Sequence, residues 1–166
     1  MIIKDYDRRA AVEYARKWAF KRNPSYYNFD KLGGDCTNFA SQCVFAGSGI
    51  MNYAPTFGWY YISADNRTAS WTGVEYFYNF LTGNASGIGG GEGPFAEEVS
   101  ADRIEVGDII QLGRANGDFY HSPVVVGFSG GVPLIAAHSN DAYGRPINSY
   151  VFERIRYIHI LGVRGS

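Results

Sequence analysis

Helical and strand-like patterns occupy different parts of this 166-residue chain. Apolar residues first recur at helical spacing, in residues 6–21, 36–46 and 72–83, and strand-like apolar patterns follow, in residues 106–112, 121–128, 132–138 and 150–162. Helices followed by turn-linked strands are typical of α+β proteins with an antiparallel sheet. Because no repeat or linker interrupts a chain of this length, we predict a single domain over residues 1–166.

Charge and composition exclude several classes of protein. The formal net charge is −1 and no basic stripe occurs, so a nucleic-acid partner has no electrostatic support. No apolar run approaches the roughly 20 residues that a membrane-spanning helix needs. The first residues are charged and carry no signal peptide. We therefore expect a cytoplasmic protein, or else a domain of a larger secreted protein, extracellular or associated with the cell wall. The oligomeric state stays open.

Cys36 lies where a glycine-containing loop meets a predicted helix, in the segment GGDCTNF at residues 33–39. The N–H groups of a first helical turn lack partners within the helix, so they stabilise a thiolate and can bind an oxyanion. We therefore expect Cys36 to be a nucleophile with a lowered thiol pKa. Cys43 lies seven residues on, about 10 Å along a helix, which is too far for a disulfide. We interpret it as a small buried hydrophobic residue.

A nucleophilic cysteine needs a base, and the chain offers His121, His138 and His159. His121 opens a predicted strand, and Pro123 just after it indicates an edge or bulged segment. His138 ends the neighbouring strand, and Asn140 lies two residues further on the same face if the chain stays extended. Either residue can orient the ring of His121. His159 lies within a strand, and we interpret it as structural.

Three segments carry a resemblance to known enzymes: GGDCTNFASQ, HSPVVVG and IAAHSND. They resemble the bacterial NlpC-type cell-wall cysteine peptidases, and more closely the family called the putative amidase domain. The resemblance covers most of the chain and is best over residues 6–45 and 106–142. It implies a papain-like fold in which the cysteine helix packs against an antiparallel sheet.

The same resemblance implies roles for individual residues. Cys36 corresponds to the nucleophile and His121 to the base. The NlpC-type pattern implies His138 as the third catalytic residue, whereas cysteine proteases with an Asn orienter favour Asn140. The family also uses a tyrosine near the oxyanion, for which Tyr27 is the nearest candidate, with Tyr26 equally close in sequence. Asp35 and Thr37, on either side of the cysteine, complete the expected oxyanion or substrate-binding group.

These roles predict a hydrolase that cleaves an amide bond through a Cys–His dyad or triad, without a cofactor, and that acts on peptides of the bacterial cell wall. An acyltransferase would use the same dyad with another acceptor. A wall-binding or peptide-binding module would keep the fold without catalysis. A zinc site of Cys36, His121 and His138 is a further alternative, although no short-spaced ligand pair occurs.

Two other features need an interpretation. The glycine-rich segment 83–94 lacks the Gly-Lys-Ser/Thr ending of a phosphate-binding loop, so we interpret it as a surface loop. The aromatic residues Trp59, Tyr60 and Tyr61 can line a cleft or fill the core, and we favour the core.

Overall fold

The computed structural model describes residues 1–84 and 91–165, which form helices and strands in the predicted order. The helices of these residues are α1 (Arg8–Trp18), α2 (Cys36–Ser48), α3 (Ala69–Thr72) and α4 (Val74–Gly83). The strands are β1 (Ile2–Lys4), β2 (Tyr61–Ser63), β3 (Asn66–Arg67), β4 (Gly93–Val99), β5 (Ile109–Gly113), β6 (Phe119–His121), β7 (Val124–Ser129), β8 (Val132–Ala137), β9 (Ala142–Pro146) and β10 (Arg154–Gly165). Short 3₁₀ turns lie at Ala101–Arg103 and Ile147–Ser149.

Eight of the described strands form one curled antiparallel sheet, in the order β1-β10-β5-β7-β8-β9, with β4 paired to β10 and β6 paired to β5. The long strand β10 pairs with β1, β4 and β5, so it connects the two ends of the described chain. Strands β2 and β3 form a separate hairpin. This arrangement confirms the predicted α+β class. Within the described residues, no helix has both the length and the apolar character needed to cross a bilayer.

The predicted helices are present, and the third one, predicted over residues 72–83, is α4 with the short helix α3 before it. Thr72 closes α3, and Gly73 precedes α4 with an extended backbone and no side-chain cap. Glu75 makes an ion pair with Arg156 on β10. At the start of α1, the carboxylate of Asp7 accepts a hydrogen bond from the N–H of Ala10.

Several strand boundaries differ from the prediction. The predicted strand 121–128 is two strands, because the chain breaks at residues 122–123, so His121 closes β6 instead of opening a strand. Two strands were not predicted here: β9 lies between the predicted strands 132–138 and 150–162, and β4 begins in the glycine-rich segment 83–94 and continues to Val99. The predicted glycine-rich loop 83–94 includes residues 85–90, which lie outside the described residues. Of its ends, Gly83 closes α4 and Gly93 opens β4.

The sheet buries apolar side chains on both faces. Ile109, Val124 and Ala136 pack with the helices in a first core. Their chain neighbours Ile110 and Val125 belong to a second core, which contains only strand and loop residues. This division follows the alternation of side chains along a strand. The second core closes the far face of the sheet, where no described helix packs.

Helix α2 is buried on almost every side, from Thr37 through Val44. Its polar residues therefore need partners inside the protein. The indole N–H of Trp71 donates to the side-chain oxygen of Asn38, and that of Trp59 donates to Ser41 Oγ. Trp59 and Tyr61 are core residues, which confirms the interpretation of that aromatic segment. These contacts hold the axis of α2, and so the position of Cys36, against the first core.

The packing of α2 against the N-terminal segment predicts a large effect of Gly47→Ala. A Cβ at Gly47 would lie 2.5 Å from the ring of Tyr6 and 2.7 Å from the carbonyl oxygen of Asp7. We expect the free energy of unfolding to fall by about 1–3 kcal/mol, which is typical of overpacking. Urea denaturation measures it. The control is Gly127→Ala, whose Cβ would meet Leu134 at 3.9 Å. Equal stability of the two variants would contradict this packing.

Candidate active site

Cys36 is the first residue of α2, and its side chain is partly exposed. Its sulfur lies 3.7 Å from the carbonyl oxygen of Tyr120, to which the thiol can donate, and 3.6 Å from Thr37 Oγ1. Cys43 is fully buried in the first core, and neither cysteine is in a disulfide. The two cysteines therefore differ as predicted, with one near the surface at a helix start and one in the core.

The thiol of Cys36 is protonated at neutral pH. Burial raises its pKa above the ordinary value of 9.0, and it outweighs the hydroxyl of Thr37 and the backbone N–H groups of Ser122 and Thr37, which all lower it. The expectation of a lowered pKa from the helix start alone is therefore wrong. Desolvation of the thiolate raises the pKa by more than the helix terminus and the neighbouring hydrogen-bond donors lower it.

Asp35, just before the cysteine, does not cap α2 with its side chain. Its carboxylate accepts hydrogen bonds from the backbone N–H of Phe29 and the side-chain amide of Asn38 through Oδ1. Oδ2 lies 2.7 Å from Nδ1 of His138. Because the carboxylate is turned toward these partners, no side chain from the N-cap position covers the N–H groups of the first helical turn. The N–H of Thr37 instead lies against the sulfur of Cys36 and lowers its pKa.

His138 is buried and is held on every side by residues other than His121. Its Nδ1 proton is donated to Asp35, because a carboxylate only accepts. Its Nε2 lies 2.8 Å from the carbonyl oxygen of Trp18 and 3.1 Å from Nη1 of Arg22. The ring stacks on Phe39 of α2 with centroids 4.0 Å apart. His138 thus connects the end of β8 to the start of α2 and the end of α1.

Arg22 is the centre of an ionic network around this histidine. Its guanidinium donates to both carboxylate oxygens of Asp30 and to both of Asp141, and its Nε lies 3.7 Å from Asp35. Burial alone would lower the pKa of Arg22, but the hydrogen bonds to Asp141 and Asp30 raise it overall. Ser139 Oγ donates to Asp30 and closes the network. Arg22 was not among the predicted site residues, because its position after a helix belongs to no recognisable motif.

His121 lies opposite Leu112 in the β5–β6 pair, and its ring packs on Tyr150 with centroids 5.5 Å apart. Leu112 belongs to the second core, and Tyr150 packs against it. Burial, with a smaller contribution from the charge of Arg145, lowers the pKa of His121 to about 4. The ring is therefore neutral at pH 7. Within the described residues neither ring nitrogen has a hydrogen-bond partner, and neither is fully buried.

The sulfur of Cys36 lies beside the backbone that carries His121. It contacts the carbonyl oxygen of Tyr120 on one side of that residue, and the N–H of Ser122 on the other side lowers its pKa. No hydrogen bond joins the sulfur to the imidazole in the described part of the chain. The fold thus brings the two residues together through their backbones, but the ring of His121 faces the second core, so a contact between the ring and the sulfur requires a rearrangement at the end of β6.

The remaining predicted site residues lie in different surroundings. Thr37 is buried, with its Oγ1 3.2 Å from Ser122 Oγ. The ring of Tyr27 packs on Phe29, and the backbone carbonyl oxygen of Tyr27 accepts a hydrogen bond from the side-chain amide of Asn38. Asn140 is exposed and has a positive φ of 55°, so the extended chain assumed between positions 138 and 140 is wrong.

Two further residues near His121 were missed by the sequence analysis. Arg145 lies over the ring of Tyr150 at 3.6 Å, and the hydroxyl of Tyr150 is buried with no partner among residues 1–84 and 91–165. Neither residue lies in a recognisable motif, so no sequence signal identified them.

The remaining ionisable groups bear on the alternative of a zinc site. No cluster of three or more His, Cys, Asp or Glu side chains that could hold a metal ion occurs in the described ranges. His159 Nδ1 lies 2.7 Å from the buried carboxylate of Asp108, which also binds Arg8. These contacts join β10 to the loop before β5 and to α1, as a structural role for His159 would require.

The chain is similar to a known protein family. Residues 5–161 match the family model described as "Putative amidase domain". The chain belongs to this family. The chain is also 34% identical over 141 residues to a Bacillus subtilis (strain 168) protein named "Uncharacterized protein YhbB". That alignment covers 82% of the chain and 42% of the relative, so the chain spans less than half of the relative's length. No solved structure matches it. The family indicates an amidase-like hydrolase.

The raised thiol pKa predicts how Cys36 of the amidase domain reacts with iodoacetamide. Only the thiolate is alkylated, and burial places its titration above pH 9.0. The rate constant should therefore rise about tenfold per pH unit from pH 6 to pH 9, with no plateau in the acid range. Stopped alkylation of a Cys43→Ala variant, followed by mass spectrometry, reports Cys36 alone. A rate that is already at its plateau at pH 6 would instead show a preformed thiolate–imidazolium pair.

The ionic network predicts that Arg22→Met destabilises the protein. The substitution leaves Asp30, Asp141 and the His138–Asp35 pair without their shared cation. Because Arg22 and the two aspartates it pairs with most closely are partly exposed, we expect a loss of about 1–3 kcal/mol in the free energy of unfolding, between the values for exposed and buried pairs. The matched control is Arg16→Met, whose exposed pair with Glu13 should matter by less than about 0.5 kcal/mol. Similar denaturation midpoints for the two variants would refute the central role of Arg22.

Proposed function

We propose that the amidase domain is a cysteine-dependent amide hydrolase with a papain-like arrangement, in which Cys36 is the nucleophile and His121 the general base. The observation that carries the proposal is the position of the sulfur, at the start of α2 and against the backbone on both sides of His121. The partly exposed thiol can meet a substrate there. The neutral imidazole, whose nitrogens have no hydrogen-bond partner among the described residues, can accept a proton.

Acylation begins from an uncharged pair. The proposed step requires the end of β6 to rearrange so that the ring of His121 meets the sulfur. As the sulfur then attacks the amide carbon, its proton passes to the neutral ring, so a free thiolate is never exposed to the low-dielectric site. The carbon–sulfur bond forms and the carbonyl oxygen becomes an oxyanion. The uncapped N–H groups of the first turn of α2 lie where they can stabilise it. The imidazolium then gives its proton to the leaving nitrogen as the carbon–nitrogen bond breaks.

In deacylation, His121 acts again as a base and then as an acid, with water in place of the thiol. His121 takes a proton from water, whose oxygen attacks the thioester carbon, and the ring returns that proton to the sulfur as the acid leaves. A neutral ring with a pKa of about 4 is a weak base but is unprotonated throughout the neutral range. The base is therefore competent over a broad pH interval, and no cofactor is required.

The third residue of the site has a different role from the expected one in this proposal. Both nitrogens of His138 are already engaged, with Asp35 on one side and with Trp18 and Arg22 on the other. We assign His138 to positioning: it holds Asp35, and through Asp35 the backbone at Cys36. Asn140 is exposed and has no contact with His121 in the described structure, so it takes no part in the proposed step.

The proposed substrate class is a peptide amide of the bacterial cell wall. The support is the resemblance of the Cys36 and His121 segments to NlpC-type peptidases, together with membership of an amidase family. A cell-wall substrate would place the domain outside the cytoplasm, as part of a larger secreted protein.

The decisive experiment is digestion of purified peptidoglycan, with the released fragments identified by mass spectrometry. Each cut should produce one new amine and one new carboxylate, which also identifies the bond. Cys36→Ala and His121→Ala should each lower turnover by about 1,000-fold or more, as for members of a catalytic unit. Cys43→Ala controls for the loss of a cysteine away from the site.

His138→Ala provides a separate readout. A positioning residue should lower turnover and slow alkylation of Cys36 together, because both depend on the placement of the sulfur. Full activity of Cys36→Ala would overturn the nucleophile assignment, and full activity of His121→Ala would overturn the base.

A further inference from the structure

A second candidate binding site lies at the other end of α2 from Cys36. A cavity of about 470 Å³ opens between the loop 52–58 and the exposed side of α4. This volume falls within the range of about 300–1,000 Å³ that is typical of small-molecule sites. Five side chains of its lining are used below: Thr56, Phe57, Tyr76, Asn79 and Phe80.

The loop that forms one wall is rigidly built. Asn52 and Trp59 exchange two backbone hydrogen bonds, of 2.9 and 2.7 Å, and the N–H of Gly58 donates to the carbonyl oxygen of Ala54. A Cβ at Gly58 would lie 2.4 Å from two carbonyl oxygens, so this turn admits only glycine. The loop is therefore a fixed support for the residues at its tip, and its backbone groups are largely paired with each other.

Two aromatic rings are presented to solvent at the cavity. The side chain of Phe57 is 87% exposed at the tip of the loop, and Tyr76 on α4 is 62% exposed. Phe80 is nearly buried beneath them and stacks on Trp59 with centroids 5.9 Å apart. Single exposed hydrophobic residues are ordinary, but two rings that face one cavity over an aromatic floor form a stacking surface.

The polar groups at the cavity are neutral and available. Within the described residues, the amide of Asn79 and the hydroxyls of Tyr76 and Thr56 have no hydrogen-bond partner inside the protein. No charged side chain belongs to the described lining. The neighbouring amides of Asn52 and Asn84 are already used, since both donate to the carbonyl oxygen of Glu92.

We propose that this cavity binds a neutral saccharide. A sugar ring presents a C–H face, which stacks on aromatic rings, and hydroxyl or acetamido groups, which pair with amides and hydroxyls. A charged ligand would find no counter-charge. An extended peptide needs free backbone groups at its docking edge, which the paired loop lacks. A hydrocarbon would strip water from Asn79, Tyr76 and Thr56 without replacing their hydrogen bonds.

The site does not depend on the proposed chemistry at Cys36, so its test uses the Cys36→Ala protein, which cannot turn over. The probe is the β-1,4-linked trimer of N-acetylglucosamine, titrated by calorimetry and by NMR. We expect saturable binding, weakened about five- to tenfold by Phe57→Ala and by Tyr76→Ala, as for loss of one aromatic stack. Asn79→Ala, on the exposed side of α4, should also weaken it. Phe128→Ala, which removes an exposed phenylalanine of β7, should leave it unchanged.

Three results would overturn the proposal. One is the absence of saturable trimer binding at millimolar concentration, and another is equal weakening by Phe128→Ala and Tyr76→Ala. The third is tighter, Tyr76-dependent binding of an uncharged tripeptide, which would make the cavity a peptide site. Because each titration is done without turnover, failure of the hydrolase proposal leaves these outcomes unaffected.

Discussion

The hydrogen bond between His138 and Asp35 is the contact on which the geometry of the site depends. His138 follows a strand of the sheet and Asp35 precedes Cys36, so this pair joins the sheet to the start of α2. Arg22 binds from the side of α1 and supplies the positive charge that lets several carboxylates lie close together. A buried charged group is tolerated only when it is paired in this way. The position of the cysteine is therefore set by an ionic network rather than by apolar packing alone.

The same burial that fixes the site makes the thiol of Cys36 and the imidazole of His121 neutral. Desolvation raises the thiol pKa and lowers the imidazole pKa, so neither group carries a charge at neutral pH. In the proposed mechanism, charge therefore appears only as bonds change. A protonated thiol is a poor nucleophile, so Cys36 should react slowly with small electrophiles at neutral pH.

Much of the fold could be predicted from periodicity, since α1, α2 and the paired strands β7 and β8 follow the pattern of their apolar residues. Among the strands that were missed, β4 and β9 are stabilised by pairing with a neighbouring strand, which periodicity does not report. The candidate residues Cys36 and His121 could be found because the spacing of a loop, a helix and a strand suggested their chemistry. The contacts of His138 could not be predicted, because the alternation of side chains along a strand indicates on which face a residue lies but not which residues it contacts. The raised thiol pKa was also out of reach, since it depends on burial contributed by distant segments.

The pairing of β10 has a consequence for the way the chain acquires its structure. Ile2 pairs with Gly165, and Arg8 of α1 donates to the carbonyl oxygen of Ile160, so contacts near the beginning form only when residues near position 160 are available. Topologies dominated by such distant pairings fold slowly. During synthesis, the N-terminal helices leave the ribosome well before their sheet exists. A nascent chain would therefore expose the apolar faces of α1 and α2 until residues near position 160 have been synthesised, and chaperones can bind those faces during that period.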